Sequence, residues 1–576
     1  MGKICLLSSF LIILFFFLFI GLVSAHSIST HTSICNGNTF FVGGSGSGNY
    51  TFIQDAIDDA SAGDTILVYS RIYYEHLIVD KQLFIKGIQR NGEEPPTIDA
   101  GSTNDVVIIN ADGCLFENFK VKNVAGGYNH RGIVLNSDYN TIKQYISYET
   151  GYGIVLQSSS YNSITNNELS AIHNCIILDD SNNNAIFNNE MYPKNGDGLI
   201  IRHNSNNNTV FNNLISSSLY GSGVVHSDSV NNIFSKNSIS SNNRKGMILD
   251  ASLYVTLSNN IFIKNCLAIY GDSSEHWDSH MMVNNTVNDN VLYVHSHKNN
   301  FTISSNAGQV ILYNCSAGIV EGNTIHDVEI GISLTLCSNI TIRENSIISN
   351  HYRNMDEGCI HVVQSHHIII EKNQIDNGQR GVYSVVSHTL TIINNAIVNH
   401  DIGIWFNSPS SNNVLSNNHI SQCRYGIGFF VPSTEPKVFD TIISGNIILS
   451  CTTGIWTYLM ANTVISDNTV SNSRLGIKVD GAKHCIISGN TIKRNINGVY
   501  VNGRYVTVQD NNFIFNIIHA FFREPPEEIE WDHNYWGRPR IAPKLIPGIV
   551  IRDKFNISPT YDIDNNPRLV AYIISH

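Results

Sequence analysis

The sequence predicts an all-β solenoid, in which short parallel strands coil around one core behind a short N-terminal capping helix. Two recurring phrases predict it. The first carries an Asn at 446, 468, 490 and 512 in "ISGNIILSC", "ISDNTVSNS", "ISGNTIKRN" and "VQDNNFIFN", 22 residues on each time. It runs back through Asn418, Asn395, Asn373, Asn345, Asn323, Asn306, Asn285, Asn260, Asn237, Asn213, Asn189 and Asn167, and Tyr145 and Phe119 fit the same slot. Most steps are 21 to 25 residues, two are 28 and one is 17. That makes about 18 turns of one structural unit. The second phrase is Gly-Ile-x-apolar, as in "GIVL" at Gly132 and Gly153, "GMIL" at Gly246, "GISL" at Gly331, "GIWF" at Gly403 and "GIKV" at Gly476. Alternation over four residues is a strand period. A unit this short cannot bury its own apolar face, whereas stacked units can.

Composition agrees with a repeat. The chain has 576 residues but only 14% charged ones, against about 25% in an ordinary globular protein. Its formal charge of -12 is mild and no Lys/Arg run occurs, which excludes nucleic acid as the expected partner. No cofactor is expected from any motif.

Each segment has a reason. In residues 1–25, Lys3 precedes the run "FLIILFFFLFIGLV" and small residues end at Ala25. This reads as a signal peptide, or as an uncleaved anchor and the chain's one membrane contact. Either places the rest at the cell surface or outside the cell. Residues 26–96 hold the N-terminal cap and first strands, where Phe52, Ile53, Ala56, Ile57 and Ala60 share one helical face able to close the open core. Residues 97–516 are the coils. The recurring Asn suits a tight turn with a left-handed backbone, and stacked one coil apart its amide can bond to the next. Residues 517–576 form the C-terminal cap and tail, with Trp531, Tyr535 and Trp536 plugging the far end. Cysteine pairs Cys315/Cys337 and Cys423/Cys451 keep a fixed offset from ladder Asn residues, so each pair should be neighbours on adjacent coils, as a disulfide or as packed thiols.

The opening "TFIQDAIDDASAGDTILVYSRIYYEHLIVDKQLFIKG" with its "NTI…GI.L" repeats resembles the NosD-like right-handed parallel β-helix proteins. The group joins carbohydrate-binding proteins and sugar hydrolases, and the resemblance covers nearly the whole chain after the signal. It implies a single-stranded right-handed parallel β-helix of the pectin-lyase-like kind. It leaves chemistry open, because the repeat specifies packing. NosD itself is linked with copper delivery to nitrous oxide reductase. Other proteins of the fold are pectin and alginate lyases, hydrolases and epimerases, but their signatures are missing: "DD" at Asp179 precedes "NGDG" and no Gly-His-Gly follows.

Column arithmetic supplies candidate sites. In Gly-Ile-x-apolar the third residue faces outward. From Gly381 that position reads Tyr383, Trp405, Gly428, Trp456, Lys478, Tyr500. Stacked rings suit a polysaccharide or surface glycan, unless the insertion "VPSTEPKVFD" covers them. A second cluster runs from Asp179 and Asp180 through Arg202 and His203, His226 and Asp228, and Asp250 to "GDSSEHWDSH" and "YVHSHKN". There His203, Asp228, Asp250, Glu275 and His276 are the catalytic candidates, and His276, His280, His295 and His297 the metal candidates. His226 and His361 are both read as core-facing. The reading favours an exported binding or structural module. The alternative is a polysaccharide lyase, hydrolase or epimerase, and after it a copper-linked accessory protein, which the absence of a Met/His repeat disfavours.

Overall fold

The computed structural model describes residues 37–571 except 91, 102–104, 123–129, 218–219, 242–243, 350–356, 408, 431–437, 524–527, 538–543, 554–555 and 569. The apolar N-terminal segment lies outside the described residues. So does most of the "VPSTEPKVFD" insertion. Among the described residues no helix is long and apolar enough to cross a membrane.

The chain winds into a parallel β-solenoid of the right-handed type with about 21 turns and 2% helix. The turns beyond the expected 18 lie at the ends. Strands Thr39–Val42, Thr65–Tyr69 and Phe84–Ile88 already pair in parallel before Phe119, and Ile529–Asp532 adds one after Asn512. One face consists of two eleven-stranded sheets, Thr39–Val42 to Met281–Val283 and Asn299–Ser304 to Ile529–Asp532. A second face starts as a nine-stranded sheet from Leu77–Val79 to Leu267–Tyr270. It resumes with Asn290–Ser296, Ala307–Tyr313, Ile332–Thr335 and Ile360–Val363. Short strands such as Ile146–Thr150 and Glu168–Ala171 make the third.

The recurring Asn does its work buried. Asn189 donates from both its backbone N (2.9 Å) and Nδ2 (3.0 Å) to Oδ1 of Asn213 one coil on. Its Nδ2 also donates to the Ile164 carbonyl at 2.9 Å. Every rung thus pairs polar groups that no water reaches, worth about 0.5–1.5 kcal/mol net per bond. The left-handed backbone expected at this Asn belongs to the residue before it: Asn166, Asn188 and Asn212 have φ of 54°, 57° and 54°. In "NN", the first Asn takes the turn and the second the ladder.

Two assigned rungs are corrected. Asn490 donates to Asn511, which donates to Asn534, so Asn511 and not Asn512 holds that slot. Asn306 is exposed with φ 62°; buried Ala307 takes the slot and donates its N–H to Asn323 Oδ1 at 3.3 Å. The amide ladder is therefore broken between Asn285 and Asn323.

Both ends are closed. Helix Ile53–Asp59 buries Ile53, Ala56 and Ile57 with Ala60 just beyond it, and the Glu75 carboxylate accepts the Ile53 and Gln54 N–H groups at 2.9 and 3.0 Å. Phe52, expected on that buried face, is 50% exposed because it precedes the first helical turn. Trp531 and Trp536 are buried at the far end and Tyr535 half-buried. Asp564 ends the ladder by accepting from Asn534 Nδ2 (3.3 Å) and Trp536 Nε1 (2.9 Å). Cys315 with Cys337, and Cys423 with Cys451, are neighbours on adjacent coils, next to the register pairs Ser316–Ser338 and Tyr425–Thr453, and their thiols donate to backbone carbonyls. The nine described cysteines are all unbonded.

Candidate functional site

The second face is interrupted where the ladder breaks. Strand Leu267–Tyr270 ends its sheet. Its edge is satisfied by a side chain: fully buried Gln309 accepts the Leu267 N–H at 2.9 Å and donates to the Leu267 carbonyl at 2.8 Å. Between this edge and the strands that resume the face opens a cleft of about 450 Å³. Its lining includes Ala268, Ile311, Ser333 and His361 from the outward positions, with Tyr270, Asp272, Trp277 and Tyr313 around them. Trp277 and Tyr313 stack at 5.2 Å and 6°. Helix Glu275–Asp278 carries Trp277, whose Nε1 donates to the Gly271 carbonyl at 3.2 Å.

A buried ionic group stands beside Tyr270. Lys245 Nζ lies 3.0 Å from Glu357 Oε1, with side chains only 7% and 4% exposed. The Tyr270 hydroxyl donates to the same carboxylate, and Lys245 sits 5.2 Å from the Tyr270 ring centre. Burial works to lower the Lys245 pKa, but the Glu357 and Glu329 charges outweigh it and hold the ammonium above its ordinary range. Burial, then the Glu357 charge, pushes the Tyr270 phenol well up. Burial, with the cations Arg380 and Lys245 adding to it, drives His361 down to about 3, so its ring is neutral.

From His361 the expected column runs in register. His361 pairs with Tyr383, then follow Trp405, Gly428, Trp456, Lys478, Tyr500 and Phe521. His361 is thus outward, correcting its assignment to the core; Ile360 and Val362 face inward beside it. Its ring stacks on Tyr383 at 5.0 Å and 11°. Gly428 leaves room for the Trp405 ring, since a Cβ there would come 2.2 Å from Cζ3.

The four candidate binding rings are not equally accessible. Tyr383 is 4% and Trp405 8% exposed. Trp405 packs against Tyr425, Phe430 and Trp456 at 6.1, 6.3 and 5.8 Å. Trp456 and Tyr500 are half-buried, with Lys478 Nζ 5.0 and 5.9 Å from their ring centres.

The catalytic and metal candidates are spread along the strand ends. Asp179 accepts from Arg202 Nη2 and His203 Nδ1, each at 2.8 Å. Its burial works against ionisation, but these partners outweigh it and hold the carboxyl below the ordinary range. Asp228 and Asp250 are exposed on the following coils. His226 is the one core histidine of this set, 0% exposed. Asn232 Nδ2 donates to its Nε2 at 2.8 Å and Nδ1 meets Ser252 Oγ at 2.6 Å, an arrangement that requires the neutral ring. Glu275 and His276 sit in the short helix. His280 Nε2 donates to the His276 carbonyl (2.8 Å), His297 pairs with Asp278 (2.7 Å) and His295 meets Lys298 (3.2 Å). Among the described residues no three His, Cys, Asp or Glu side chains come together to hold a metal ion.

Sequence columns missed Lys245, Glu357 and Tyr270. The available signals were irregular steps: 17 residues from Asn306 to Asn323 marks the seam, and 28 from Asn345 to Asn373 marks the insertion that delivers Glu357.

Comparison with known proteins decides the family. The family model described as "Periplasmic copper-binding protein (NosD)" matches residues 57–241, 204–307, 295–440 and 436–542. The chain belongs to the NosD family. Solved structures similar to it include a pectin methylesterase from Aspergillus niger (16% identity, 43% of this chain and 85% of that one, TM-score 0.29). Others are a GH136 lacto-N-biosidase from Eubacterium ramulus (10%, 58% and 67%, 0.36) and an alginate lyase from Paenibacillus (12%, 61% and 99%, 0.23). No curated protein sequence matches the chain.

Proposed function

We propose that this NosD-family chain is an exported β-helix protein that binds carbohydrate on the outward column of its C-terminal half. The observation that carries it is the register that stacks Tyr383, Trp405, Trp456 and Tyr500 on one strand position. With coils ~4.8 Å apart, the two more accessible rings, Trp456 and Tyr500, stand two coils and about 10 Å apart on either side of Lys478, and sugar rings present apolar faces that match aromatic rings. Export draws support from the N-terminal apolar run and from the "periplasmic" in the family's name.

A polysaccharide-active enzyme is the second reading, favoured by the cleft at the column's head. The copper in the family's name finds no matching donor set among the described residues.

The test is retention of the full chain on immobilised polysaccharides, with sugar products followed by mass spectrometry. Trp456→Ala with Tyr500→Ala abolishes retention while the chain stays folded, with a modest fall in melting temperature because Trp456 packs on Trp405, Tyr425 and Phe430. Trp405→Ala lowers the melting temperature as well, because that ring is packed. Full retention by the double variant overturns the proposal, and released sugar products move the function to the enzyme reading.

A further inference from the structure

The aromatic column has an open end and a closed one. Toward the C-terminus it runs on from Tyr500 to half-buried Phe521 on the next coil. Toward the N-terminus it passes Tyr383 and His361 and enters the cleft, whose lining includes the next outward residues, Ser333 and Ile311. Tyr270, Asp272 and Trp277, from the preceding coil, line the same cleft, and the register continues from Ile311 to Val294. A linear chain lying on the rings cannot pass this wall, because it is covalently part of the preceding coil and is tied down. Trp277 is stacked on Tyr313, and Tyr270 is held by the Glu357–Lys245 pair.

We propose that the cleft is a terminal subsite: it takes the last sugar of an uncharged polysaccharide whose body lies along the column. This rests on the carbohydrate reading above and adds to it the mode of recognition, at a chain end instead of along the chain's interior. The cleft volume, about 450 Å³, falls in the ~300–1,000 Å³ of small-molecule sites. Its composition suits a terminal pyranose. Trp277 and Tyr313 supply apolar ring surface, while Ser333, Asp272 and the neutral His361 ring supply hydrogen-bonding groups for hydroxyls. Exposed Asp272 disfavours a uronate at the mouth. Lys245, 5.2 Å from the Tyr270 ring centre, is already engaged by Glu357. Glu357 and Lys245 are positioning residues that fix the Tyr270 side of the wall.

Chain-end and interior recognition differ in stoichiometry. The full chain is titrated against soluble starch, mannan and xylan, and against equal masses of their partial acid hydrolysates, with chain ends counted by reducing-sugar assay. For the polymer that is retained, binding sites per gram rise in proportion to chain ends, at constant affinity per end. Trp277→Ala weakens that affinity about 2- to 10-fold, the loss expected for one stacked ring. Should Trp277→Ala unfold, Asp272→Asn at the exposed mouth also lowers end affinity without disturbing the fold. Sites per gram that stay constant on hydrolysis, while Trp456→Ala still abolishes retention, overturn the terminal subsite and leave the carbohydrate reading intact. Absence of retention on every glycan overturns both.

Discussion

The two halves of the solenoid use the same outward column for different ends. Before the seam it reads Val134, Val155, Ile177, Ile200, Val225, Ile248, Ala268, all in one register. After the seam it reads Ile311, Ser333, His361, Tyr383, Trp405, Gly428, Trp456, Lys478, Tyr500. The backbone and the Asn ladder are alike on both sides, with rungs of 3.0 Å at Asn237–Asn260 and 2.9 Å at Asn468–Asn490. Core packing therefore does not dictate the outward residue. A column that packing leaves free is where chemistry can differ, and in this chain the rings, the cleft and the neutral His361 all lie at or beyond the seam.

The largest effect is expected at the seam itself, where the halves are tied by Lys245 and Glu357. Lys245→Ala leaves the buried Glu357 charge uncompensated, a loss of about 3–5 kcal/mol. Calorimetry should then show the two halves melting apart; a single unchanged transition would mean the pair does not couple them. The Lys245 pKa is raised, so its contribution is complete below the unfolded lysine value of about 10.4 and is lost as pH rises through the higher folded value.

A smaller effect checks that the scaffold is equivalent on both sides. Asn237→Ala and Asn468→Ala should each unpair the N–H of the preceding rung, Asn213 or Asn446, at about 1–3 kcal/mol apiece. Asn306→Gly, which keeps the left-handed backbone off the ladder at the seam, stays within about 0.5 kcal/mol. Thermal melts of the three variants decide it. Unequal losses in the two ladder variants would break the comparison.

The smallest effect separates a core histidine from the rest. Burial holds His226 down to about 3, with His280 adding slightly. The unfolded chain takes up a proton near pH 6.5 and the folded one does not. Stability from this residue is therefore complete above pH 6.5 and declines toward pH 3, by about 2 kcal/mol at pH 5. His226→Gln should flatten the melting temperature between pH 7 and pH 5 relative to the parent chain. An unaltered slope would mean the titration belongs to other groups.

How far the sequence reached varies by residue. The column was legible because outward and inward positions alternate with a period of two, and a one-residue error would have put every ring in the core. Assigning His361 to the core was such an error: Ser333 and Tyr383, its register partners, sit in the third position of the motif. The slip from Asn511 to Asn512 arose in an "NN" doublet, where adjacent identical residues do different jobs. The burial of Trp405 was not legible, since it depends on Tyr425 and Phe430 from the neighbouring coil.

By itself the sequence determined the all-β solenoid, the position of nearly every rung, the ring column and the pairing of Cys315 with Cys337 and Cys423 with Cys451. These follow from burial repeated at a fixed period, and a period is written in the local order of residues. The tertiary structure alone decided the cleft, the Glu357 tie to Tyr270 across 87 residues, and which rings remain accessible. Those depend on where the repeat fails. At the seam no periodic rule says which side chain meets which: Gln309 replaces a strand partner and Ala307 an asparagine, and packing in three dimensions makes that choice.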